Sequence, residues 1–244
     1  MGLCLSRGMG WQAGYRTISF LQMALTLILL LSLPLWKKQE LPLSGGETVR
    51  PQTPQWRKLL KRPGVKAALT AFFFYSALEL TTGLWGSSYM VAVRGISPET
   101  AAKWISLFYL GITAGRFFSG FLTLRFSDDT MVCLGEGTAI VGIILLLLPL
   151  HNLFLCVGLI LTGLGCAPIY PSLLHATPQR FGKSLSQSLM GTQMAISYLG
   201  STTMPPVSGF LSEKISMGLY PVLLLVFALC MTILTEKGRH CTAE

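Results

Sequence analysis

Seven long apolar segments constrain this chain more than any other feature. They lie at 17–36, 66–92, 101–124, 131–150, 152–175, 186–211 and 217–235. Each approaches or exceeds the roughly 20 residues that a helix needs to cross a bilayer. In lipid every backbone N–H and C=O must find an internal partner, so such segments are helices or the strands of a closed barrel. The two-residue alternation of barrel strands is absent. The expected fold is an all-α membrane protein with about seven transmembrane helices. Composition agrees: charged residues make up 12% and mean hydropathy is +0.57, against about 25% charged in soluble domains. Segment 17–36 is longer than a signal-peptide core and no small-residue cleavage site follows it. Trp36-Lys37-Lys38 reads as an interfacial stop, which makes this segment a spanning helix.

The net charge of +9 is distributed as a topology signal and does not imply a nucleic-acid partner. Residues 37–65 are polar, carry Pro42, Pro51, Pro54, Gly45 and Gly46, and include Lys37, Lys38, Arg50, Arg57, Lys58, Lys61 and Arg62. This stretch reads as a basic cytoplasmic linker with a short amphipathic piece at Trp56–Leu60. With it inside, Lys66, Arg125, Arg180, Lys183, Lys237 and Arg239 also fall inside, and only Arg7, Arg16, Arg94, Lys103 and Lys214 fall outside. The positive-inside rule then predicts a multi-pass cell-membrane protein with its C-terminus cytoplasmic and its N-terminus outside. The chain is expected to divide into a leading segment and first helix (1–36), the linker (37–65), a six-helix unit (66–236) and a cytoplasmic tail (237–244). The cysteines Cys4, Cys133, Cys156, Cys166, Cys230 and Cys241 show no CxxC or metal-like spacing and are expected to be free thiols. No metal or cofactor is expected.

The helices differ with a period of three. The first, fourth and seventh are the greasiest, at Leu25–Leu33, Ile140–Leu148 and Val222–Leu229. The second and fifth hold polar and helix-breaking residues, and the third and sixth are rich in small ones. A repeat of three-helix units, each with a cavity helix, a packing helix and a lipid-facing helix, predicts this period.

Glu79 is the sharpest candidate site. A carboxyl in mid-span is costly in lipid, so it faces the bundle interior or water and is functional by default. Helical spacing places Tyr75, Glu79, Thr82, Gly86 and Tyr89 on one face, with Trp85 and Ser88 at its margin. One acid, two phenols and a hydroxyl beside an aromatic plane suit a sugar or similar polyol; a packing role for Glu79 is the alternative. Glu136 lies nearer a helix end, where it could snorkel or pair with Arg125 or Arg116. The fifth helix contains Gly163, Gly165, Pro168, Tyr170, Pro171, Ser172 and His175. Its two prolines predict a discontinuous helix of the kind that lines a transport cavity, with Tyr170 and Ser172 as pathway candidates and His175 at the cytoplasmic end. In the sixth helix Gln193, Ser197 and Gly200 share a face that could bond substrate or another helix. The third helix carries Gly111-xxx-Gly115 and Ser119, a small-residue stripe.

Gly115-Arg116, Gly120 and Arg125 together resemble the second, degenerate copy of the loop signature of the major facilitator superfamily. That copy falls between the eighth and ninth helices of a twelve-helix transporter; the acid of the fuller motif is absent at Thr123-Leu124. The run Gly163–Pro171 with His175-Ala-Thr-Pro178, Gln187 and Met190-Gly191 resembles the fucose-permease-like branch of that superfamily. Glu79-Leu-Thr-Thr-Gly-Leu-Trp85 and Trp11-Gln-Ala-Gly-Tyr15 point to the same branch, whose members are mostly sugar:proton symporters. The resemblance runs along the whole chain as helices six to twelve. It implies transport of a small polar solute, a sugar or related compound, by alternating access, with a coupling proton as a further partner. It also implies that the chain lacks an N-terminal half, which it would need as a partner or replace by self-association, and that it does not transport alone. A seven-helix receptor or sensor is the alternative reading. A membrane enzyme would need a convergent polar cluster, and Asp128, Asp129 and His175 have nothing else converging on them.

Overall fold

The computed structural model describes residues 11–36, 60 and 62–243. Most of the linker expected at 37–65, with its amphipathic piece, lies outside the described residues, as do residues 1–10 of the leading segment. Two compact units are distinguished, residues 1–52 and 53–244. In the first, α1 spans Trp11–Trp36. Its hydroxyls fold back on its own backbone, Thr26 Oγ1 donating to the Gln22 carbonyl and Ser32 Oγ to that of Leu29, both at 2.8 Å.

Among the described residues the second unit holds six helices: α2 (Val65–Arg94), α3 (Pro98–Leu122), α4 (Asp128–Leu147), α5 (Asn152–Phe181), α6 (Lys183–Lys214) and α7 (Tyr220–Ala243), the last preceded by a single 3₁₀ turn, Met217–Leu219. Local chemistry sets their ends. Gly95 turns left-handed at φ 64° and Ile96 N–H donates back to the Met90 carbonyl, closing α2. Ser97 caps α3 with Pro98 in its first turn. Ser127 caps α4, and Asp128 and Asp129 sit where the helix dipole favours acids. Gly182, at φ 88°, allows α5 to pass into α6 across one residue.

Two central helices organise the unit. α5 packs along α3 and α4, and α2 packs along α6 and α7. Each central helix therefore lies on two helices of the other triplet, as a pair of three-helix repeats requires. Small residues permit this closeness. A Cβ at Gly111 or Gly163 would strike the opposing backbone between α3 and α5. Gly135, Gly142, Gly158 and Gly165 do the same between α4 and α5, and Gly200 lies against the Phe73 backbone between α2 and α6. Aromatic and aliphatic side chains such as Phe72, Phe108, Leu155, Tyr220 and Met231 fill what remains.

One expectation changes. The fifth helix is continuous through Pro168, Pro171 and Pro178 and is not broken. Neighbouring helices hold it straight enough that a missing N–H is tolerated. The last helix runs on to Ala243, so residues 237–243, expected as a tail, are helical. The all-α fold of about seven spanning helices holds: among the described residues six helices are long and apolar enough to span a membrane, and α6 is long but more polar, because Ser, Thr and Gln recur along it. Cys133, Cys156, Cys166, Cys230 and Cys241 are free.

Candidate functional site

The polar face expected on α2 divides in the structure. Tyr75, Thr82, Gly86 and Tyr89 turn into the bundle and are buried. Tyr75 Oη donates to the Cys166 carbonyl at 3.2 Å, Thr82 Oγ1 to that of Leu78 at 2.7 Å and Tyr89 Oη to that of Leu146 at 2.9 Å. These hydroxyls are committed to backbone and do not reach an open surface. Trp85 lies on another side of α2, against α6, where Nε1 donates to the Pro205 carbonyl at 2.8 Å and the ring covers Gly209. Glu79 stands at one edge of the expected arc, and it alone among the expected hydrogen-bonding side chains of that face remains partly open, with 21% of its side chain exposed.

Its partner comes from α3. Arg116 Nη2 lies 3.7 Å from Glu79 Oε1, and 60% of the Arg116 side chain is exposed. The separation is that of an ion pair without a hydrogen bond. Tyr170 of α5 lies on the same side of the unit as Glu79. Its ring meets Phe72 edge-on at 5.2 Å and Tyr75 at 5.7 Å, and its phenol is near Glu79 and Tyr198. Tyr198, on α6, is 73% exposed. An acid, a base and two phenols from four different helices thus share one open face. Sequence reasoning assigned Arg116 to a loop motif and passed over Tyr198. The signal for the first was present, since a mid-helix arginine and a mid-helix glutamate on adjacent spans are each other's cheapest partner. Tyr198 is one residue beyond Ser197 and needed only a different rotation of α6.

The remaining candidates lie away from this open face. Gln193 is buried with Oε1 accepting from Thr177 at 3.1 Å. Ser197 is hydrogen-bonded to Ser76 across the α2–α6 contact. With Gly200 against Phe73, the Gln193–Ser197–Gly200 face meets neighbouring helices, which is the packing alternative weighed for it. Ser172 is buried on α5. Gly115 abuts Ala167 and the Leu164 backbone, so it acts in the α3–α5 crossing, whereas Gly120 faces open space. Arg125 is exposed in the turn after α3.

Glu136 pairs with neither Arg116 nor Arg125. It is buried on α4 and its Oε1 has no hydrogen-bond partner. His175 Nδ1 meets Asp128 Oδ2 at 2.7 Å, and Arg180 pairs with Asp129. Arg62 Nη1 donates to the Phe181 carbonyl at 3.4 Å. These contacts fasten the start of α4 and the end of α5, and they occupy the one histidine considered as a pathway group. At the opposite end Arg94 reaches the Leu148 carbonyl at 2.5 Å and that of Leu146 at 3.3 Å, capping α4.

A six-helix unit of two interlocked triplets, built from long apolar helices, defines a membrane protein of many spans. The family model of the major facilitator superfamily matches residues 80–238, and the chain belongs to that superfamily. Bypass of stop codon protein 6 of Saccharomyces cerevisiae is 24% identical over 197 residues, covering 74% of this chain and 38% of the yeast protein. An uncharacterized MFS-type transporter of Yersinia pestis is 22% identical over 154 residues, covering 59% and 38%. The chain thus spans less than half the length of the curated relatives it matches. A crystallised variant of the E. coli fucose:proton symporter FucP superposes with a TM-score of 0.61 at 20% identity, over 76% of this chain and 44% of that one. FucP in the outward conformation gives 0.66 at 18% identity, over 80% and 47%. The POT family transporter PepTSo gives 0.65 at 18%, over 73% and 38%. At these identities the likeness is one of fold. The family is one of transporters.

Proposed function

We propose that this chain acts as the C-terminal half of an alternating-access transporter for a small polar solute, a sugar or related compound, with a coupling proton as co-substrate. The observation that carries the reading is the Glu79–Arg116 pair on the open face of the six-helix unit. Opposed charges in mid-span are stable only against water or another protein surface. In a complete transporter, an N-terminal half would cover that face across a water-filled cavity, and one half would rock against the other. Glu79 and Arg116 then read solute hydroxyls from two helices, while Tyr170 and Tyr198 offer ring faces. In this arrangement the C-terminus is cytoplasmic, the N-terminus is outside, and residues 37–65 join the halves.

The test is uptake in vesicles under an inward proton gradient. One set holds the 244-residue chain alone. The other holds it together with a six-helix N-terminal half from a fucose-permease-like transporter. Radiolabelled monosaccharides are expected to enter only the second set, and Glu79→Ala is expected to abolish that entry with expression intact. Robust uptake by the chain alone would show that it is self-sufficient. Normal uptake by the Glu79→Ala variant would remove Glu79 from the pathway.

A further inference from the structure

Arg116, on the open face, has binding capacity to spare among the described residues. Its guanidinium carries five N–H donors in a planar fork. Among the described contacts it has a single charged neighbour, Glu79 at 3.7 Å, beyond hydrogen-bond distance, and 60% of the side chain is exposed. Two hydroxyls close to Glu79 along α2 are engaged elsewhere: Tyr75 Oη by the Cys166 carbonyl and Ser76 by Ser197. A guanidinium so placed cannot face hydrocarbon, because the penalty for a charge at that depth exceeds what a loose ion pair returns. It must therefore meet water, a solute or another protein surface, and of these a solute can fill the fork from a water-filled cavity.

Resting on the transporter reading above, we infer that the solute carries one carboxylate, taken in a bidentate grip by Arg116, and hydroxyls at its other end that donate to Glu79: a sugar acid in preference to a neutral sugar. The fork geometry matches a planar carboxylate edge to edge. Glu79 beside it accepts hydrogen bonds from hydroxyls and repels a second negative charge, which disfavours phosphorylated sugars and dicarboxylates. The partly open ring of Tyr170, steadied by Phe72 and Tyr75, supplies the plane against which the C–H face of a pyranose lies. A neutral sugar would leave the guanidinium with hydroxyl acceptors alone, which are about half as strong as a carboxylate.

Equilibrium binding is measured on the full chain in lipid nanodiscs, alone and paired with the N-terminal half used for uptake. The probes are D-galactose, D-galacturonate and galactose 1-phosphate. Galacturonate is expected to bind at least about tenfold more tightly than galactose, and galactose 1-phosphate more weakly than galacturonate. Arg116→Gln is expected to weaken galacturonate by about a hundred-fold, the loss of two charge-assisted bonds, and to change galactose far less. Arg116→Lys keeps the charge without the fork and is expected to restore only part of the affinity. Retained helix content by circular dichroism and monodisperse elution show that each variant is folded. Equal binding of galactose and galacturonate, or galacturonate binding indifferent to Arg116→Gln, would overturn the inference and leave the sugar-transport reading standing. Failure of all three probes to bind either preparation would overturn both.

Discussion

Replacing Gly163 by alanine puts a Cβ into the Phe108 carbonyl oxygen and within 3.0 Å of the Ile112 amide nitrogen. Both are backbone atoms of α3, so no rotamer change relieves the contact and the two helices must separate. Overpacking of this kind costs about 1–3 kcal/mol. Against it stands a helix-propensity gain of up to about 1 kcal/mol for Gly→Ala. The net is a destabilisation on the order of 1–2 kcal/mol, which for a chain of this length lowers the unfolding midpoint by roughly 2–8 °C. Gly137 supplies the control, since a Cβ there meets nothing within 4 Å. Gly137→Ala gains propensity without a clash and should hold or raise the midpoint. With Cys4, Cys133, Cys156, Cys230 and Cys241 replaced by serine in parent and variants alike, a thermal melt with a thiol-reactive fluorophore reads both, because Cys166 is wholly buried on α5 one turn from Gly163 and labels only when the crossing opens. The same displacement would carry Arg116 away from Glu79. A Gly163→Ala protein melting at or above the parent, level with Gly137→Ala, would refute the close α3–α5 approach.

Arg94→Ala removes the cation that caps α4 through the Leu146 and Leu148 carbonyls; a loss of about 1–3 kcal/mol should lower the same melt by several degrees, and an unchanged melt would mean the cap contributes nothing. Glu136→Gln keeps the shape of a buried carboxyl whose Oε1 has no donor; stability should be within about 1 kcal/mol of the parent, whereas Glu136→Ala leaves a cavity and should destabilise more. A strong loss in the Gln variant would mean that the carboxylate charge itself is used. For topology, a C-terminal reporter active only outside the cytoplasm should stay silent, and activity there would reverse the orientation drawn from the Lys and Arg distribution.

Much of this molecule was legible in the chain itself. Apolar runs of spanning length determine helices in a solvent that offers the backbone no partner, and all seven fall where the pattern put them. The triplet period, the Gly111–Gly115 stripe and the singularity of Glu79 follow from composition along each helix. What the sequence could not decide was rotation. In water, the apolar side of a helix marks its interior; in a bilayer the surroundings are as apolar as the core, so a polar arc says only that it avoids lipid. Tyr75, Thr82 and Tyr89 share an arc with Glu79, yet three are spent on neighbouring carbonyls and one edge stays open. Gln193 and Ser197 turned to helices α5 and α2, and Tyr198 beside them turned out. Pro168 and Pro171 looked like a break, but flanking helices carry α5 through them. Only the tertiary packing brought Arg116 to Glu79, because a contact between residues on different helices depends on how both are turned, and neither helix encodes the other's rotation.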